Sequence, residues 1–304
     1  MKNVIVLGNG AIGAYCSAKL EDANFNIKVL CDANRKKRYE KDKFYVNDKM
    51  YDFSYITAED KVDFKADLVI IALKYNYLED ALMLLKNYID ENTIIMSLLN
   101  GINSEDIIMD KLKTKNILYS FIVGIDAVRV NNKINYTNEG HIVFGNKDNK
   151  QSKELLEVKN IFEESKIPYI IPENILNKMW LKFMMNVGSN QLSAILKANY
   201  KAFKNCENLK NLVYKAMMEV IELSKYEGAN LTNEDIDLWY ETLNKMSDKG
   251  MTSMMQDILA KRDTEVEMFA KVVCNLGKKH NVDVSTNEII YDMIKTIEWI
   301  NKNK

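Results

Sequence analysis

Short β-branched runs alternate with amphipathic stretches through the first half of the chain. Val4-Ile5-Val6-Leu7, Ile27-Lys28-Val29-Leu30, Leu68-Val69-Ile70-Ile71 and Thr93-Ile94-Ile95-Met96 read as strands. Between them, Gly10–Ala23 and Tyr77–Tyr88 repeat their apolar residues at helical spacing. Nearly continuous apolar strands separated by helices predict a parallel sheet covered on both faces. Two hairpins interrupt the scheme, one across Phe44–Tyr55 around Asn47-Asp48 and one across Val128–Tyr136 turning at Asn131-Asn132.

The pattern changes near Pro168 and Pro172, the only prolines in the chain. Each fixes its own backbone and restricts the residue before it, so an irregular segment is expected there. Beyond it the strand signals stop. Apolar residues recur every three or four positions through Leu209–Tyr226, Ile236–Met246, Met254–Leu276 and Glu288–Ile300, which predicts an all-helical region. A length of 304 residues suits two cores better than one. The expected division is an α/β domain over residues 1–170 and an all-α domain over residues 171–304.

Charge narrows the choice of partner. Lys and Arg number 42 against 43 Asp and Glu, so the basic excess of a nucleic-acid binder is missing. The densest basic run, Arg35-Lys36-Lys37-Arg38, is short and reads equally as a solvated helix start or a phosphate contact. Cys16, Cys31, Cys206 and Cys274 are scattered, and His141 and His280 complete no ligand cluster, so no metal is expected. Scattered cysteines suit a reducing compartment, and the longest apolar stretch is far too short to span a bilayer. With no leader-like segment after Met1, the expectation is a cytoplasmic protein that engages neither membrane nor nucleic acid.

Gly8-Asn9-Gly10-Ala11-Ile12-Gly13 follows the first strand and opens a helix. That context turns a weak motif into a dinucleotide fingerprint: the first glycine turns tightly, the second admits a pyrophosphate, and the third lets helix and strand pack. The expected fold class is therefore α/β, with an N-terminal Rossmann-type dinucleotide-binding domain followed by an all-helical C-terminal domain. Asp32 lies just past the second strand, where a carboxylate takes the ribose 2′-OH of NAD and repels the 2′-phosphate of NADP. Arg35 lies within a turn of it and could hold that phosphate instead. Lys74 and Asn100 end the third and fourth strands, at the edge where such sheets bind ligands.

In the second half, Lys182, Asn186 and Asn190 fall at i, i+4 and i+8, one stripe of a helix. Trp180, Leu181, Phe183, Met184, Met185, Val187 and Leu192 surround that stripe, so the helix should be buried. Buried polar groups need partners. Neighbouring helices could supply them, and so could a substrate carrying a ketone and a carboxylate.

Lys182-x3-Asn186-x3-Asn190 preceded by Trp180 resembles the catalytic helix of the ketopantoate reductases (2-dehydropantoate 2-reductases). The remaining motifs agree in order: Gly8–Gly13, Ala72-Leu73-Lys74, Leu99-Asn100-Gly101, Ala127, and Ser253-Met254-Met255-Gln256-Asp257 followed by Arg262-Asp263-Thr264-Glu265. The likeness spans nearly the full length. It implies that Lys182 is the proton donor, and that Asn186, Asn190 and Ser253 hold the substrate. It also implies that Lys74, Asn100, Ala127 and Glu265 contact the cofactor, with Asn100 near the substrate too. Read without the resemblance, Ser253 with Gln256 would be a helix cap and Glu265 a solvent-facing helix charge.

Two positions depart from the family pattern. Cys31-Asp32 stands where the family commonly has an arginine for the NADP phosphate. A further substrate-binding asparagine falls near Lys197–Tyr200, close to Asn199. The resemblance implies NADPH-dependent reduction of 2-dehydropantoate to pantoate, in pantothenate and coenzyme A biosynthesis, and allows a homodimer. Asp32 keeps open an NAD-dependent D-2-hydroxyacid dehydrogenase. A β-hydroxyacid dehydrogenase would carry glycines ahead of the lysine, and Asn174–Met179 has none. A non-catalytic dinucleotide sensor would have no need of Lys182, Asn186, Asn190 and Ser253 together.

Overall fold

The computed structural model describes residues 2–303. The chain divides into two compact units, Met1–Ile175 and Leu176–Lys304.

The first unit contains β1 (Asn3–Leu7), α1 (Ala11–Asp22), β2 (Asn26–Leu30), α2 (Ala33–Lys41), β3 (Phe44–Val46), β4 (Lys49–Tyr51) and β5 (Tyr55–Ile56). It continues through β6 (Leu68–Ile71), α3 (Leu78–Leu82), β7 (Ile94–Ser97), α4 (Ser104–Leu112) and β8 (Ile117–Val123). Then follow β9 (Val128–Val130), β10 (Lys133–Asn135), β11 (His141–Gly145), α5 (Lys153–Glu164) and β12 (Tyr169–Ile170). The main sheet has eight strands in the order β12-β11-β8-β7-β6-β1-β2-β5. From β5 to β8 all pairings are parallel, and β11 joins β8 antiparallel. Val4–Val6 and Leu68–Ile71 are wholly buried, which explains why these strands are apolar at every position rather than at every second one. The direction of strand succession reverses between β1 and β6, the kind of switch point at which open α/β sheets bind ligands beyond the C-terminal ends of their strands.

Both hairpins form. Asn47 and Asp48 adopt φ of 45° and 62°, the left-handed pair that a two-residue hairpin turn needs. The two hairpins join through parallel β3–β10 pairing into a separate sheet, β4-β3-β10-β9. A contact between segments so far apart in sequence leaves no local trace.

The second unit contains α6 (Ile175–Leu196, beginning one residue before the division), α7 (Tyr200–Asn205), α8 (Glu207–Tyr226), α9 (Asn233–Lys245), α10 (Ser253–Leu259), α11 (Ala270–His280) and α12 (Ser285–Lys302). Gln191 on α6 is fully buried, donates to the Val187 carbonyl at 3.0 Å and accepts the Ala270 N–H at 3.0 Å, tying α6 to the start of α11. A Cβ on Gly188 would meet Met217 of α8 at 2.6 Å, so the glycine sets how closely those helices pack. Among the described residues no helix is long and apolar enough to cross a membrane.

Three local expectations change. Tyr77–Tyr88 is not one helix: α3 is five residues long, with 3₁₀ turns at Tyr75–Tyr77 and Met83–Leu85. Leu82, Leu85 and Tyr88 are all buried, and their three-residue spacing lines up on the tighter 3₁₀ turn. The proline-flanked segment forms a two-residue edge strand, β12, tolerated because an edge leaves proline's missing N–H unneeded. Met254–Leu276 is broken between α10 and α11, where Lys261 takes φ of 52° and Thr264 binds the Glu298 carboxylate through both its N–H and its hydroxyl, at 2.8 and 2.7 Å.

Candidate active site

In the first unit the site is made largely of backbone. The chain leaves β1 at Leu7 and turns through Gly8–Gly13 into α1. Gly8 sits at φ of 105°, and a Cβ there would lie 2.5 Å from the Ala72 carbonyl oxygen at the end of β6. A Cβ on Gly13 would fall 1.9 Å from the Gly8 carbonyl oxygen, so helix and turn touch. Gly10, the N-cap of α1, has open space: its Cβ would meet nothing closer than 3.9 Å, and no side chain caps the helix. Uncapped N–H groups beside open space fit a diphosphate. Asn9 is buried and donates to the Tyr55 hydroxyl at 3.3 Å, while its Oδ1 finds no partner among the described residues, which also suits a polar ligand at this turn.

The ends of β6 and β7 lie at the same edge of the sheet, since β1, β6 and β7 run parallel. Lys74 is exposed just past β6, and Asn100 follows β7, with Gly101 at φ of 94° turning the chain. Ser97 donates to Ser104 at 2.8 Å, Ser104 to Glu105 at 2.9 Å, and Ser120 to the Ser97 carbonyl at 2.8 Å. Burial pushes the Glu105 carboxyl up to about 7. Ala127 and Ala11 are partly buried against the aromatic cluster that contains Tyr39 and Phe44.

Asp32 is the N-cap of α2. Its carboxylate accepts the Arg35 N–H at 2.8 Å and lies 3.3 Å from Arg35 Nε. The Arg35 guanidinium stacks over the Tyr77 ring at 5.5 Å. Lys36 is held by Asp60 at 2.8 Å.

In the second unit the candidate site is made of side chains. Lys182, Asn186 and Asn190 share one stripe of α6, and Asn190 donates to Asn186 Oδ1 at 3.3 Å. Burial lowers the Lys182 ammonium from the usual 10.5 to about 8, and the nearby Glu265 carboxylate opposes that shift. Glu265 lies in the turns between α10 and α11 and is half-buried, so it is not the helical surface charge that spacing alone suggests. Ser253 is exposed at the first position of α10, and the cap is Thr252, whose Oγ1 accepts the Met255 N–H at 3.2 Å. Asn199 caps α7, accepting the Ala202 N–H at 3.3 Å. Asp257 pairs with Arg262 at 2.7 Å, which gives part of the C-terminal signature a structural role in closing that turn.

Arg129 belongs to none of the sequence motifs. On β9, it donates from Nη1 to the Asn9 carbonyl in the glycine turn. The one available signal is an arginine between two valines in a strand whose alternation runs backwards.

The family model of the ketopantoate reductase PanE/ApbA matches residues 4–149, and its C-terminal counterpart matches residues 174–298. The chain belongs to the ketopantoate reductase family. Ketopantoate reductases are NAD(P)-dependent oxidoreductases that reduce a keto acid, and the protein is an enzyme of that class. It is 28% identical to the 2-dehydropantoate 2-reductase of Aquifex aeolicus (strain VF5) across 98% of this chain and 97% of that one. Its fold is similar to that of a D-mandelate dehydrogenase solved with NADH and anilino(oxo)acetate, at TM-score 0.86 and 20% identity over 99% of each chain. It is similar as well to a dimeric ketopantoate reductase from Staphylococcus aureus, at TM-score 0.83 and 20% identity over 98% of this chain and 99% of that one.

Proposed function

We propose that the protein reduces 2-dehydropantoate to pantoate with NADPH, and that Lys182 is the proton donor. Residues 1–170 serve as the dinucleotide-binding domain and residues 171–304 as the substrate and catalytic domain. The observation that carries this reading is a half-buried lysine, its ammonium brought down to about 8 by desolvation, on a helix that carries two amides in the same stripe. Such a group is still charged at pH 7 yet gives up its proton readily.

When bound, the reduced dinucleotide supplies a hydride to the carbonyl carbon of the keto acid. Lys182 stabilises the charge that grows on the ketone oxygen and then donates its proton there. Asn186, Asn190 and Ser253 hold the polar groups of the substrate, and Asn100 is a further substrate-binding residue. Gly8, Asn9, Gly10, Ala11, Ile12, Gly13, Lys74, Asn100, Ala127 and Glu265 hold the dinucleotide. Glu265 also opposes the desolvation that lowers the Lys182 ammonium. The assembly is a homodimer.

NADPH is preferred in this reading because the Asp32 carboxylate is engaged by Arg35, which supplies a cation beside a 2′-phosphate. The second reading, an NAD-linked D-2-hydroxyacid dehydrogenase, is favoured by Asp32 itself and is the chemistry named for the D-mandelate dehydrogenase with NADH. Steady-state assays of a panel of 2-keto acids with NADPH and NADH, in wild type and Asp32→Ala, separate the two. We expect 2-dehydropantoate with NADPH to give the highest kcat/KM. A wild type that prefers NADH, with Asp32→Ala moving toward NADPH, overturns the choice. At an effective dielectric near 20 a unit-charge contact at about 4 Å is worth about 4 kcal/mol, enough to reverse the preference. Losing the cap also costs about 1 kcal/mol of stability.

A further inference from the structure

β9 inverts the usual strand pattern. Val128 and Val130 are 57% and 62% exposed, whereas Arg129 between them is half-buried. Alternation normally sends apolar residues inward, so this arrangement leaves valines in water and strips water from a guanidinium. The contacts of Arg129 offset that cost, and they are specific. Nε donates to the Asn131 carbonyl at 2.7 Å, Nη1 donates to the Asn9 carbonyl, and the guanidinium lies over Phe44 at 4.9 Å and Tyr39 at 5.5 Å.

Asn9 is flanked by Gly8 and Gly10, residues that leave the peptide between them unusually free to rotate. In a trans peptide the carbonyl and the following N–H point in opposite directions. A carbonyl held by Arg129 therefore fixes where the Gly10 N–H points and how the chain enters α1. We propose that Arg129 is a positioning residue for the dinucleotide diphosphate, acting through the Asn9–Gly10 peptide without touching the cofactor. It removes conformational freedom from the glycine turn before the ligand arrives, so less is lost on binding. Lysine is a poor substitute, because it lacks the planar fork that donates to two carbonyls while lying over aromatic rings.

This rests on the reading that the glycine turn holds a dinucleotide, and the experiment separates the two. NADPH and NADH are titrated by fluorescence into wild type, Arg129→Ala and Arg129→Lys, with steady-state kinetics and Tm measured alongside. Arg129→Ala should weaken both dinucleotides by a similar factor of about tenfold or more. The kcat at saturating cofactor and the KM of the keto acid should stay near wild type, and Arg129→Lys should recover part of the affinity. If Arg129→Ala does not fold, Arg129→Gln carries the same comparison. A wild type that binds neither dinucleotide overturns the reading of the turn, and the role of Arg129 with it. A wild type that binds while the variants bind equally well, losing only Tm, overturns the positioning role alone. A loss confined to NADPH overturns it as well, since that marks a direct phosphate contact.

Discussion

The two units present their candidate functional groups in different materials. In the first, the glycine turn and the uncapped start of α1 offer backbone N–H groups, and the glycines matter for what they lack. In the second, α6 offers an ammonium and two amides, and each side chain matters for what it carries. A backbone site tolerates any side chain that leaves the turn in place but no added Cβ at the wrong glycine. A side-chain site tolerates movement of the backbone less than it tolerates change elsewhere in the helix. Substitutions should therefore fail in different ways, the first kind in cofactor affinity and the second in turnover.

The sharpest test of that contrast is Lys182→Ala. It should lower kcat by about 10²-fold or more while the Kd for the dinucleotide stays near wild type. Turnover within a few-fold of wild type would make Lys182 a structural residue. Asn186→Ala comes next, with an expected rise of about 10-fold or more in the KM of the keto acid, from losing a hydrogen bond to a charged group. An unchanged KM would move the substrate away from α6.

Gly13→Ala tests the backbone half. Its new Cβ would press on the Gly8 carbonyl from 1.9 Å, which should cost about 1–3 kcal/mol of stability and weaken NADPH and NADH alike. If it instead lowered kcat with cofactor binding intact, the contrast between the units would be wrong. The smallest effect expected is a shift in pH profile. Lys182 must be protonated to act, so kcat should fall as pH rises through about 8. Glu265 raises that value, so Glu265→Gln should move the alkaline limb to lower pH. A limb that stays in place would show that Glu265 does not act on Lys182.

The same division of materials explains what could be read in advance. A turn that needs glycine at three set positions, between a strand and a helix, leaves its requirements in the sequence, as does a polar stripe on an otherwise apolar helix. The parallel sheet was legible for a similar reason, because strands buried on both faces must be apolar throughout. Hairpins with Asn-Asp and Asn-Asn turns announced themselves through residues that accept positive φ. Expectations weakened where periodicity continued across a break. Met254–Leu276 keeps its helical spacing through Glu265–Phe269, and it is contacts such as that of Thr264 with Glu298 on α12 that hold the turn there.

By itself, then, the sequence determined the fold class, the glycine turn and the Lys182-Asn186-Asn190 stripe, because each depends on spacing within one or two elements. Tertiary structure decided the rest, because it depends on partners far along the chain. It joined β3 to β10, held Lys36 against Asp60, and set the Glu265 charge near Lys182. It also drew Arg129 to a carbonyl 120 residues away in the glycine turn. No local pattern encodes such a pairing, since the energy that selects it exists only once both segments are packed.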